Sequence, residues 1–415
     1  MKLSRRSLLA LGIFVILGGI VAFSHWFDTQ RSRSARSVEK EVTVHVTNGG
    51  DRGPGTLREA MFLVAGATAP TTILLEVPSI KLESALPPLV NGHGVRLVSQ
   101  ASKTRIEAQA LESGPVLDVS GPNTTIEGIV IDKCPAAAIL VRAVRFHVFN
   151  TVVEGCDVGI DVADNAKDTL LERNRFTKNR IGIRFGASGQ NTVVASNEFT
   201  EEKDAGLWAV HSTLEAHADV IGIHDNKFTE DSAGVVVGNI PVLVERNDFV
   251  NSHDAAVHIV GAGAVIRGNR IEGGASMGIV VENAAGALIE DNELEGLTAY
   301  GIMVRGAADT LVRSNRLHNC GYGLAFVLGN THKVNSAVDN TIIAAKFDGI
   351  DIIGDSPILR GNQVLRAHSF GLHVEDFQTP TGHKVLSQPF LENNNFGDSA
   401  VSKGNAALAV QKNPQ

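Results

Sequence analysis

The chain has 415 residues, of which 42 are Gly and 43% are hydrophobic, while aromatics make up 5%, with two Trp and two Tyr. That much apolar material excludes wholesale disorder, and its Ile, Val, Leu and Ala bias suits thin, layered packing better than a large aromatic core. The 37 basic and 45 acidic residues give a net charge of -8. This argues against nucleic acid as the main partner, because phosphate binding needs a basic footprint.

At the N-terminus, Lys2, Arg5 and Arg6 precede an apolar run from Leu8 to Phe23. This is the charge and hydropathy pattern of an export signal. Residues 4–9, SRRSLL, loosely resemble a twin-arginine signal, and Ala22 with Ser24 offers small residues for cleavage. The run is slightly short for a spanning helix. Cleavage, and retention of residues 8–23 as an inner-membrane anchor, both stay open. Either predicts an extracytoplasmic protein, periplasmic or secreted. Residues 24–41 read as a polar linker, 42–400 as a single domain and 401–415 as a tail.

Cys134, Cys156 and Cys320 are too few for a disulfide framework, and no CxxC or Cys/His metal spacing occurs. Cys134 and Cys156 lie 22 residues apart, so a disulfide and two stacked buried thiols are both open.

From residue 174 an Asn followed by a polar and then an apolar residue recurs, at 174, 197, 226, 247, 269, 292, 315, 340, 362 and 394. Between these lie segments such as GIDV, GIRF, GVVV and GIDI, beginning at 159, 182, 206, 234, 256, 278, 301, 323, 349 and 371. Each repeat therefore holds two short stretches of alternating apolar residues bounded by Gly, Asn and Asp, which is strand periodicity. The fold predicted is an all-β parallel solenoid of roughly 22-residue coils, about 10–13 of them. Leucine-rich repeats share the length, but their multi-leucine consensus is absent. The residues after successive Asn, Arg175, Glu198, Lys227, Asp248, Arg270, Glu293 and Arg316, alternate in sign, as do Glu245, Arg267, Glu290 and Arg313. Coils stacked in register, about 4.8 Å apart, place each charge between opposites. The Asn column is expected to form a turn ladder, and the Gly residues opening the strands to serve tight turns.

This pattern resembles the right-handed parallel β-helix proteins of the pectate-lyase-like superfamily, over roughly residues 42–400. Residues 53–61, GPGTLREAM, look like the segment with which many such domains begin. The resemblance implies a short helix capping the open end of the core, with Leu57, Met61 and Phe62 inward and Arg58 and Glu59 at the surface. It also implies a polysaccharide lying along a groove beside the variable loops. It carries no mechanism across, because fold does not transfer function. The Gly-Asp-Asp of the family's galacturonan hydrolases, the Asp-Pro-His-Asp of its mannuronan epimerases and the calcium-aspartate and arginine signature of its pectate lyases are not found. Calcium (Ca2+) therefore stays an open cofactor.

The distance from each Asn to the next Gly-type strand is constant at 8 or 9 residues, whereas the return is 20 after Gly206, 17 after Gly323 and 23 after Gly371. Insertions near 209–222, 327–337 and 375–390 thus share one edge, where solenoids place binding loops. The third residue of the Gly-type strand points outward, which puts Asp351 and His373 on adjacent coils with Glu375 on the same face. Lys333, Lys384, His332 and His383 come from the neighbouring loops. A carboxylate beside an imidazole tunes a base for removing a carbon-bound proton. The expectation is lyase or epimerase chemistry: His373 abstracts, Asp351 orients it, and Lys333 or Lys384 stabilises the developing charge. The plainer alternative makes Asp351–His373 one more inter-coil pair, like Asp161–Arg184. A second patch gathers Trp208, His211, Glu215 and His217, with His253, Asp254 and His258 two coils on. An exposed indole there suits sugar stacking, unless the 209–222 loop buries it. The histidine spacing matches no metal pattern, so no metal is assigned. The rival functions are a non-catalytic glycan binder or scaffold in polymer assembly or export, and a periplasmic metal-delivery β-helix acting through His253 or His258.

Overall fold

A computed structural model describes residues 42–401, apart from 101–102, 187–190, 211–219, 262, 275–276, 330–332 and 398–399. The expected export signal or anchor, the linker and residues 402–415 lie outside the described residues. Short strands build three parallel sheets: sheet A with 15 strands, B with 13 and C with 13, visited in that order once per coil. Each strand pairs in register with its equivalents one coil away, as Arg175↔Glu198 and Glu198↔Lys227 do in sheet B. The alternation of the sequence causes this. In Arg175–Thr177, Phe176 is fully buried between an exposed Arg175 and a half-buried Thr177. The Phe176, Phe199, Phe228 and Phe249 rings stack through the core at 4.9, 4.6 and 4.7 Å.

The turn from sheet A to sheet B has a fixed chemistry. A residue in the left-handed region, such as Arg173 (φ 53°), Asp291 (φ 54°) or Ser314 (φ 54°), turns the chain, and the ladder Asn follows it. Asn292 shows the pattern. Its Oδ1 accepts from the backbone N–H and the Nδ2 of Asn269, at 3.0 and 2.9 Å, while its Nδ2 donates to the Ile266 carbonyl at 2.9 Å. The side chains thus satisfy buried backbone groups that the bend takes out of the sheets, which would otherwise cost about 1–3 kcal/mol each. The charge column lies beside this ladder, with Arg175 and Glu198 at 2.7 Å and Arg267 and Glu245 at 2.7 Å.

The glycines that open the sheet C strands serve a purpose other than the tight turns expected of them. Gly182 is absent from the left-handed region; a Cβ there would lie 2.6 Å from the Gly206 carbonyl and 2.6 Å from the Phe199 ring. Hydrogen is required because the core aromatics press against this backbone.

Helix α1 (Leu57–Ala65) is capped by the Thr56 hydroxyl and buries Leu57, Ala60, Met61 and Val64. Phe62, expected inward, is 63% exposed, because it falls outside the i, i+4, i+7 stripe of Leu57, Met61 and Val64. Arg58, expected at the surface, turns in to Asp51 at 2.6 Å, and its side chain is 16% exposed. Burial pushes the Asp51 carboxyl up, but Arg58 and Ser84 outweigh it and hold the group below the usual range. Cys134 and Cys156 form a disulfide across adjacent coils, with Cα atoms 4.5 Å apart, and Cys320 is a buried thiol.

Candidate functional site

Each of the three insertions lies in sequence between a strand of sheet C and the next strand of sheet A. Residues 375–390 fold into an antiparallel pair, Phe377–Gln378 with Lys384–Val385. Ser387 fixes this loop to the solenoid, donating to the Glu375 carbonyl at 2.6 Å and accepting from the Gly354 N–H at 2.8 Å.

On the outward face of sheet C the strands Ile350–Ile353 and Phe370–Glu375 pair in register and set Asp351 directly beside His373. His373 Nδ1 lies 2.8 Å from Asp351 Oδ1 and 3.8 Å from an Asp348 carboxylate oxygen. Asp348 is itself fixed, its Oδ1 accepting from the Phe370 N–H at 3.0 Å. The Asp351 side chain is only 5% exposed, against 24% for His373. Burial raises the Asp351 carboxyl above the usual range; His373 opposes the rise, while Asp348 and Glu375 add to it. A proton on Nδ1 shared with Asp351 leaves Nε2 as the basic nitrogen, which is the arrangement a proton-transferring imidazole needs.

Around this group stands an aromatic wall of residues that the outward-column reading does not include. Tyr300 stacks on Tyr322 at 4.8 Å, Tyr322 meets Phe347 at 5.0 Å, and Phe370 stacks on His373 at 5.8 Å. The tyrosines cover one another's faces, so the wall presents ring edges and phenol groups. Burial is the main cause raising both phenols, with Asp351 and Asp348 contributing, so they stay protonated as hydrogen-bond donors. The sequence carried a signal for them. Tyr300 and Tyr322 are the chain's two tyrosines, and each directly precedes the Gly of its strand.

The two lysines expected here pair elsewhere. Lys333 binds Asp309 at 3.1 Å and Lys384 binds Asp376 at 2.8 Å. Glu375 is exposed at the end of its strand. The His383 N–H donates to the Thr379 hydroxyl within the 375–390 loop. His332, His211, Glu215 and His217 lie outside the described residues. Trp208 is half-buried against Ala205, Ala233 and Val236. His258 pairs with Glu282 at 3.2 Å, which also holds Arg305 at 3.2 Å, and His253 and Asp254 are exposed. Trp208 and Asp351 share one column, through Val236, His258, Val280, Met303 and Ala325. Six coil steps put them about 29 Å apart, so the two patches are ends of a single stripe.

Among the described residues, Asp348, Asp351 and His373 are the group whose donor atoms converge for a cation, all within 4.8 Å of one another. One imidazole nitrogen with two carboxylates fits calcium poorly, since calcium takes six to eight oxygens. A cleft of about 610 Å³ also opens on sheet B, between Lys103, Arg173, Arg175 and Glu198. Its walls are the charge ladder: Arg173 is held by Glu172 and Arg175 by Glu198.

A family model described as a right handed beta helix region matches residues 89–220 and 214–364. Among solved structures, the catalytic unit of a GH87 alpha-1,3-glucanase from Streptomyces thermodiastaticus superposes with a TM-score of 0.55 at 11% identity, covering 89% of this chain and 71% of that one. The tailspike protein of E. coli bacteriophage HK620, solved in complex with a pentasaccharide, gives 0.54 at 12% identity, covering 86% of this chain and 79% of that one. At such identities the likeness is one of fold. Curated protein sequences yield no match.

Proposed function

The chain belongs to the right-handed β-helix family, and from that premise we propose that it binds a polysaccharide along the outward face of sheet C and processes it at Asp351 and His373. The observation that carries this reading is the Asp351–His373 hydrogen bond of 2.8 Å, set in a wall of Tyr300, Tyr322, Phe347 and Phe370. A few convergent polar groups in an apolar setting are what a ligand site requires. The glucanase and the pentasaccharide-bound tailspike, both acting on or holding sugars on this fold, support a glycan partner.

In this reading His373 moves the proton through Nε2, Asp351 holds the imidazole in place, and Asp348 adds a second carboxylate 3.8 Å from the ring. Trp208, His258, Asp254 and the loop residue His383 line the stripe along which the chain lies. Lyase or epimerase chemistry asks for a cation to steady an enolate-like charge. Lys333 and Lys384 would have to leave Asp309 and Asp376 to supply it. The test is proton NMR of the full-length chain incubated with neutral and uronate polysaccharides, beside its Asp351→Asn variant. New reducing-end, olefinic or epimerised anomeric signals are expected from one polymer, reduced about 10²–10⁴-fold in Asp351→Asn while binding persists. Product formation that Asp351→Asn leaves intact contradicts the assignment. Line broadening without products, in both proteins, favours the second reading, a non-catalytic glycan binder or scaffold. The near-complete burial of the Asp351 side chain speaks for that reading.

A further inference from the structure

We infer that the sheet C site takes an uncharged glycan and rejects uronate polymers; this rests on reading that face as a polysaccharide site and sets aside its lyase or epimerase form, because those reactions need a uronate carboxylate beside the proton removed. The charges acting on Asp351 are the His373 imidazole on one side and the carboxylates of Asp348 and Glu375 on the other. Three carboxylates against one imidazole leave the site negative even when the ring is protonated. Among the described residues, the lysines and the arginine nearest in the fold are held by other groups. Arg305 is with Glu282, Lys333 with Asp309 and Lys384 with Asp376. Lys346, on the turn from sheet B to sheet C, rests its Nζ on the Leu297 carbonyl at 3.4 Å.

A uronate chain brings a carboxylate with every sugar. Close to a carboxylate of the site, each of these is a like-charge contact that weakens binding. A ring bearing only hydroxyl groups meets complementary chemistry on the same wall. Hydroxyls of one ring accept from the Tyr300 and Tyr322 phenols, and those of a ring farther across the strand donate to the Glu375 carboxylate in charge-assisted bonds. Sugar C–H faces lie against the exposed Phe347 edge, 47% of which is open to solvent.

Isothermal titration of the full-length chain tests this, with alpha-1,3-glucan and xylan oligosaccharides set against oligogalacturonate and oligomannuronate of equal length. Each runs at low and high salt, with EDTA and with calcium. A neutral oligosaccharide is expected to bind at least about tenfold more tightly than either uronate, with little salt dependence. Glu375→Gln is expected to narrow that gap by strengthening uronate binding. Uronate binding equal to or tighter than neutral binding overturns the inference, whether in EDTA or only with calcium. Binding of neither class overturns the inference together with the polysaccharide reading beneath it, so the two failures are told apart.

Discussion

At the residue scale, the most unusual side chains are in the turn from sheet B to sheet C. There Glu202 and Asp231 are 1% and 0% exposed on adjacent coils. Glu202 Oε1 accepts from Asn179 Nδ2 at 3.2 Å and Asp231 Oδ1 accepts from the Glu202 N–H at 2.8 Å, while Glu202 Oε2 and Asp231 Oδ2 have no partner. Two buried anions so placed are untenable, and a proton relieves them. Burial, then Asp231, pushes the Glu202 carboxyl up to about 9, and burial pushes Asp231 up to about 7. The folded state therefore holds protons that the unfolded chain releases in the ordinary carboxylate range near pH 4. Their contribution to stability is complete below that range and falls as pH rises through about 7 and about 9. Urea midpoints measured from pH 5 to pH 9 are expected to decline, and Glu202→Gln to flatten the decline. An equal slope in the variant contradicts the assignment.

At the element scale, the repeating coil is fixed by close contact between its core rings and its glycines. Gly182→Ala drives a methyl toward the Gly206 carbonyl and the Phe199 ring, each 2.6 Å away, and is expected to cost about 3 kcal/mol or to prevent folding. A companion Gly182→Ala/Phe199→Leu variant, which removes the ring, recovers part of the loss in thermal unfolding. No recovery would place the strain in the carbonyl alone. The coils, their register and the Asn ladder were legible because each is a repeated local event. Strand period, turn residue and alternating charge all pointed to one stacking. Asp351 and His373 were legible as neighbours for the same reason, since register alone brings them together. The positions of Lys333 and Lys384 were not, because they sit on inserted loops where the repeat gives no register. The tyrosine wall escaped a reading confined to the third residue of each strand, although the stacked pair lies one position before each glycine. Phe62 was assigned by hydrophobicity, and the helical period of α1 instead turns it outward.

At the scale of the whole molecule, the solenoid turns a run of identical coils into a ruled surface. Sheet C carries Trp208 at one end of a stripe and the Asp348–Asp351–His373 group about 29 Å along it. Sheets A and B carry no such stripe among the described residues; one outer column of sheet B, from Arg175 to Arg316, is a charge ladder that settles coil stacking. The central claim is that a glycan lies on sheet C. Hydroxyl-radical footprinting of the full-length chain, with and without saturating alpha-1,3-glucan oligosaccharide, tests it directly. Protection is predicted at Tyr300, Tyr322, Phe347 and His373, with no change at Phe62 and Phe390, which are 63% and 53% exposed and lie off the stripe. Protection on sheet A or B with none at the tyrosine wall, or no protection under any glycan that titration shows to bind, would contradict the account.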